Sequence, residues 1–163
     1  MLSTICRAHS GALLMVAMAA VSTAGSAVSP ARQERSASTK SLDYEFFKAN
    51  VEPIFLKKRP GHARCYACHA SGTGPQYLVP LSPGSTSWSE EQSRQIFRNV
   101  SRLVDRDEPM NSAFLIHPLS PMAGGDLNFV HSGGRQFESK EDPDWQIMAK
   151  WVSGAKLTSS TQP

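Results

Sequence analysis

The sequence predicts a mostly α-helical domain threaded by long Gly/Pro-rich loops, and three observations carry that expectation. Apolar residues recur at helical spacing in separate stretches. Alternation of the strand kind is nearly absent. The glycines and prolines gather between the helical stretches, notably in Ser71–Gly84 and Ser120–Gly134.

The elements follow in order. From Asp43 onward, Tyr44, Phe47, Val51, Ile54 and Phe55 share one helical face, and Pro53 must kink that helix or split it in two. A second helix is expected over 87–105. Ser87 and Glu90 have capping-box spacing, and Ile96, Phe97, Val100, Leu103 and Val104 form its apolar stripe. A short helical stretch over 111–116 ends at Pro118. The last helix starts with Asp142 as N-cap and Pro143 at the first helical position, and it stops at Gly154. Trp145, Met148 and Val152 line one face of it, and Ile147 and Trp151 the next.

Around this core the chain divides simply. Arg7 supplies a positive start, residues 12–21 (ALLMVAMAAV) an apolar run, and 22–27 (STAGSA) a small-residue stretch with Ala24-Gly25-Ser26 or Gly25-Ser26-Ala27 as cleavage motif. Residues 1–28 therefore read as an export signal. The alternative is an uncleaved anchor, because 11–28 is about long enough to span a membrane. Residues 29–41 (SPARQERSASTKS) are polar, small and without periodicity, as in a flexible linker. The domain proper covers 42–156, and 157–163 is a tail.

Bulk composition excludes some partners. The 163 residues fit one domain plus extensions. A net charge of +3, with no run of Lys or Arg interleaved with aromatics, argues against a nucleic-acid partner. Of the three cysteines, Cys6 precedes the apolar run and leaves with the signal. Cys65 and Cys68 remain, too close together to make a disulfide framework.

Those two cysteines belong to Cys65-Tyr66-Ala67-Cys68-His69, the Cys-x-x-Cys-His pattern of covalent c-type haem attachment. On a helical turn, two cysteines at this spacing can add to the two vinyl groups on one porphyrin edge. The next residue then presents its imidazole to the iron, so His69 is expected as an axial ligand. A zinc half-site would need two further ligands at suitable spacing, and no second Cys pair exists. A thioredoxin-like redox pair needs a βαβ setting that these patterns do not supply. The export signal agrees independently, since haem is attached to such cysteines outside the cytoplasm.

Over about 46–155 the chain resembles the small monohaem c-type cytochromes of class-I-like helical fold, of the exported bacterial kind. The resemblance rests on the haem motif, on Phe47-Lys48-Ala49-Asn50-Val51-Glu52-Pro53-Ile54 before it, and on the aromatic-rich Asp144-Trp145-Gln146-Ile147-Met148-Ala149-Lys150-Trp151-Val152 near the end. It implies one haem wrapped by the loops. It also implies that the first and last helices cross, with Phe46 and Phe47 near Trp145, Met148 and Trp151. Gly74-Pro75-Gln76-Tyr77-Leu78 looks like the loop in which a proline carbonyl accepts Nδ1–H of the axial histidine, which makes Pro75 the candidate. An ordinary proline turn would read the same way.

The sixth iron ligand has several candidates. His62 is too close to Cys65 to reach the opposite haem face, His117 reads as a helix-end histidine, and Met110 reads as core. Met122 and His131 both lie in the glycine-rich loop, where the backbone can bring a side chain to the iron. The resemblance favours His131, because a His-x-Gly-Gly segment recurs at this place while the position of Met122 need not be methionine. An open sixth site is the remaining alternative.

The expected function is electron transfer outside the cytoplasm by one covalently bound haem. The partners would be redox proteins or a larger membrane or periplasmic electron-transfer complex. No catalytic constellation stands beside the motif, so an enzyme is not expected. A peroxidase-like haem enzyme would need an open distal site with a positioned acid or base, and a haem-based sensor would need an output module.

Overall fold

The computed structural model describes residues 41–158. The export segment, residues 29–40 of the linker and the last five residues lie outside them. Among the described residues there are five α-helices and no strand, so the fold is mostly α. None of these helices is long and apolar enough to cross a membrane.

The first helical segment changes character along its length. Asp43 caps it, its Oδ1 accepting from Phe46 N–H at 2.6 Å. The α-helical turn α1 (Tyr44–Phe46) runs into a π-helical turn over Phe47–Val51 and then a 3₁₀ turn over Glu52–Leu56. Pro53 accounts for the last change. It has no N–H to continue the ladder, and it falls in the first turn of the tighter helix, where none is needed. The expected split at Pro53 is what the chain does.

After a loop comes the single turn α2 (Cys65–His69), then the twelve-residue helix α3 (Glu90–Ser101). The capping box of α3 sits two residues later than the spacing of Ser87 and Glu90 suggested. Ser89 Oγ accepts from Gln92 N–H at 3.3 Å, and Gln92 Oε1 accepts from Ser89 N–H at 2.9 Å. Trp88 explains the offset. It is only 6% exposed and donates Nε1–H to the Val79 carbonyl at 2.7 Å, so the chain is still being packed where the helix was expected to begin. The helix also ends earlier, at Ser101, with Leu103 in the turn that follows and Val104 just after it, both packed on the core.

A 3₁₀ turn at Pro109–Asn111 precedes α4 (Ala113–Ile116), and the last helix α5 spans Pro143–Val152. Asp142 caps α5 through Asp144 N–H (2.9 Å) and Trp145 N–H (3.3 Å), and Gly154 closes it with φ of 92°. The first segment and α5 cross at Phe47 and Trp151, whose ring centroids are 5.0 Å apart. Phe97 and Phe114 complete that cluster at 6.0 and 5.4 Å from Trp151. Trp151 also donates Nε1–H to the Asp43 carbonyl at 2.9 Å, which ties the two segments at the cap.

Two features set the loops. Arg59 grips the N-terminus of α5, with Nη1 2.8 Å from Asp142 Oδ2 and Nη2 also on Asp144. Farther on, an isolated parallel bridge between Leu119 and Phe137 closes the base of the glycine-rich loop. Met110, expected in the core, is 46% exposed, because it sits in the short 3₁₀ turn at the surface.

Candidate functional site

Helix α2 is a single turn, too short to be stable by itself, and its neighbours hold it. Tyr66 packs on Trp88 with ring centroids 6.0 Å apart, and its hydroxyl accepts from Leu81 N–H at 3.0 Å. The chain then folds back tightly. Gly74 N–H donates to the Cys68 carbonyl and Leu78 N–H to the His69 carbonyl, at 3.3 and 3.0 Å. A side chain at Gly72 would put its Cβ 2.8 Å from Cys68 Cα, so the return requires glycine there.

This return brings Pro75 to His69. Its carbonyl oxygen lies 2.8 Å from His69 Nδ1, the contact that the resemblance implies for this loop. The ring of Tyr77 lies beside the imidazole at 5.4 Å between centroids. With Nδ1 engaged by a carbonyl, Nε2 is left as the nitrogen with a lone pair to offer.

Beyond His69 opens an apolar cleft of about 830 Å³, counted out to its mouth. The first segment contributes Ile54 and Phe55, α3 and the residues after it Val100 and Leu103, α4 Phe114, and α5 Met148. Cys65 and Leu78 line it beside His69, and Phe129, His131 and Phe137 close it from the glycine-rich loop. Burial pushes the Cys65 thiol up to about 11, against the opposing charge of Arg59, so its sulfur is held neutral. Cys65 and Cys68 are not joined in a disulfide. Cys68 Sγ lies next to Gly133, where a Cβ would be 3.7 Å away.

His131 lies across the cleft from His69, with ring centroids 6.1 Å apart and planes at 48°. Its Nδ1 is 2.7 Å from the Gly134 carbonyl, so both histidines are oriented in the same way, each by a backbone oxygen. Burial lowers the His131 pKa and outweighs the Gly134 hydrogen bond, keeping the ring neutral. Gly134 has φ of 83°, and a Cβ there would meet His62 Nδ1 at 2.9 Å, so both its conformation and its surroundings call for glycine.

The other sequence candidates fall elsewhere. Met122 is 95% exposed and does not line the cleft. His117 lines the cleft at the end of α4, but its ring is stacked flat on Phe129 at 3.7 Å and faces Asp126 at 3.6 Å. Burial lowers its pKa in spite of that carboxylate. His62 lies outside the cleft, in an open groove with Arg59 and Gln136. Sequence reasoning did not single out Phe129, Arg135 or the Gly134 carbonyl. The Gly-Gly pair was the only signal for the last of these, since a backbone oxygen leaves no mark of its own in a sequence.

The donors fit a metal held between two imidazoles. Two metal–nitrogen bonds of about 2 Å each, with the ring radii added, come to about 6 Å, and the observed centroid spacing is 6.1 Å. Among the described residues no three His, Cys, Asp or Glu side chains gather into a group able to hold a metal ion by themselves. Comparison with protein families, with curated proteins and with solved structures finds no match to this chain.

Proposed function

We propose that this protein is a monohaem c-type cytochrome of class-I-like fold that transfers electrons outside the cytoplasm. The single observation that carries the reading is the pair His69 and His131, with ring centroids 6.1 Å apart in an apolar cleft also lined by Cys65. Two imidazoles with no third His, Cys, Asp or Glu donor among the described residues would suit a group that supplies the remaining ligands to its metal itself. The Cys-x-x-Cys-His motif says which group that is.

In this reading Cys65 and Cys68 would hold the haem covalently, and His69 and His131 would ligate its iron. When bound, the haem iron supplies a one-electron couple. The chain's own residues do the rest. Pro75 and Gly134 fix the tautomer and tilt of the two rings through Nδ1. Phe55, Phe114, Phe129 and Phe137 keep water from the cleft, which lowers the local dielectric and tunes the potential. A peroxidase-like enzyme would need a vacant position between its distal acid or base and the iron, and the 6.1 Å spacing of the two imidazoles suits two metal–nitrogen bonds with no vacancy, so an electron carrier is the better reading than a haem enzyme. Redox proteins, or a larger electron-transfer complex, are the proposed partners, and residues 1–28 the proposed route out of the cytoplasm.

The test is made on the exported protein. Its mass should exceed the mature chain by one haem, and the denatured, reduced protein should give the pyridine haemochrome spectrum of two thioether links. Native protein should bind little carbon monoxide at neutral pH. Haem that extracts into acidified organic solvent would refute the attachment, and ready carbon monoxide binding would favour an open sixth site.

A further inference from the structure

We infer that Arg135 is the positioning residue that holds His131 at the cleft, an inference that rests on the proposed role of His131. The loop carrying His131 is closed at its base, and farther along Asp126 N–H donates to the Ile116 carbonyl at 3.1 Å. At the base, Ser120 N–H donates to the Phe137 carbonyl at 2.7 Å, and Phe137 N–H donates to the Pro118 carbonyl at 3.1 Å. Between these points the chain runs through Gly124, Gly125, Gly133 and Gly134, residues that favour many conformations over one.

One guanidinium gathers this segment. Arg135 Nη2 donates to the Asp126 carbonyl at 2.6 Å and to the Phe129 carbonyl, while Nη1 donates to the His117 carbonyl at the end of α4. Among its contacts with the described residues none is to a carboxylate, so its donors are committed to backbone. The placement matters for His131 on both sides. Phe129, two residues before it, is held by its carbonyl and lies flat on His117. Gly134, whose carbonyl orients His131 Nδ1, is joined directly to Arg135. The guanidinium therefore holds the chain leading to the imidazole, and the oxygen that aims the ring belongs to the residue bonded to Arg135, where Gln136 Nε2 also reaches it at 3.3 Å.

The choice of arginine is physical. Three carbonyls arriving from different directions match a planar fork with five fixed donors, and charged donors make the stronger bonds. A lysine ammonium presents its three donors from one point and cannot span them.

The experiment uses the full-length, haem-loaded protein with the variants R135K, R135Q and H131A. It measures the rate at which added imidazole displaces the native sixth ligand from ferric iron, the low-spin fraction, and the thermal midpoint. W151F, remote from the loop, serves as a generally destabilised control. R135Q and R135K are expected to retain haem and to admit imidazole about tenfold faster or more, as loss of a charged hydrogen bond in one state implies. W151F is expected to lose thermal stability with no change in that rate. If R135Q is not recovered folded, R135K decides. Lowered thermal midpoints in both arginine variants with parental imidazole rates would overturn the inference, provided that H131A opens the iron. An H131A protein that keeps the parental low-spin spectrum would instead overturn the ligand reading and this inference with it.

Discussion

The Nδ1 atoms of His69 and His131 are held by the Pro75 and Gly134 carbonyls at 2.8 and 2.7 Å, on opposite sides of one apolar cleft. The two carbonyls come from different loops and follow different sequence patterns, yet they constrain the two rings alike. Such matched orientation is what a pair of axial ligands needs, and it sets the sharpest prediction.

If the protein carries the proposed haem, His131→Ala should leave it attached and turn the ferric iron high-spin, while Met122→Ala leaves the spin state unchanged. The oxidised parent should lack the weak near-infrared band of a Met–Fe(III) bond, and its potential should be low, since methionine ligation raises it. Absorption and electron paramagnetic resonance spectra of the three proteins decide the matter. A silent His131→Ala beside a high-spin Met122→Ala would mean that the exposed loop methionine swings in to ligate.

Trp151 should dominate the packing of the first segment against α5. It is fully buried, and Phe47, Phe97 and Phe114 all pack on its ring. Trp151→Ala should cost roughly 3–5 kcal/mol in urea unfolding. Trp151→Phe keeps most of the apolar contact and leaves the Asp43 carbonyl without its donor, so about 1–2 kcal/mol is expected. Equal losses for the two variants would mean that the hydrogen bond at the cap, and not the ring, does the holding.

Glu52 makes stability depend on pH in a defined direction. It is buried, with Oε1 accepting from Ser93 Oγ at 3.0 Å and Oε2 left without a partner. Burial raises its pKa, against the opposing effects of the Ser93 hydroxyl and the Lys48 charge, while Glu90 adds to the rise. The folded protein thus prefers the protonated acid. Its contribution is fully present below the ordinary carboxylate range and is lost as pH rises through the raised value. Glu52→Gln should therefore gain roughly 1 kcal/mol at neutral pH, with the gain shrinking on acidification. Urea midpoints of the two proteins at pH 4, 5.5 and 7.5 would show it, and a gain that is constant with pH would contradict it.

Arg59 and Asp142 give the opposite slope. Burial disfavours the Asp142 charge, but hydrogen bonds from Arg59 and from the N-terminal amides of α5 outweigh it and hold the pKa below its ordinary value. That stabilisation is present above the ordinary value and is lost as pH falls through the lowered one. Arg59→Ala should cost about 2–4 kcal/mol at neutral pH, because Asp144 is buried and loses part of its charge balance as well. It should also flatten the acid limb below about pH 4. An acid unfolding curve with the parental slope would show that the amides of α5 suffice without Arg59.

Much of this architecture was legible from local chemistry. Asp142 and Pro143 announce a helix start because a carboxylate can accept orphan amides and a proline has none to waste. The aromatic spacing of 145–151 announces a buried face because helical periodicity aligns those side chains whatever they pack on. Where local signals compete, the reading slipped. Ser87 and Ser89 can each cap a helix, and the burial of Trp88 chose between them. Met110 and Met122 are apolar and flank prolines, but both stand at the surface, because a residue without a periodic partner carries no information about which side faces the core.

The sequence by itself determined the helical class, the helix ends near 43, 142 and 154, and the placing of Cys65, Cys68 and His69 on one short turn, since each depends on residues within a few positions of one another. Only the tertiary structure decided which loop side chain stands opposite His69. That outcome depends on the Leu119–Phe137 bridge, the Arg135 fork and the Gly134 carbonyl, contacts that link α4 to the far end of a glycine-rich loop. Glycine permits the approach of His131, but permission is not direction, and the direction comes from groups up to 18 positions apart along the chain.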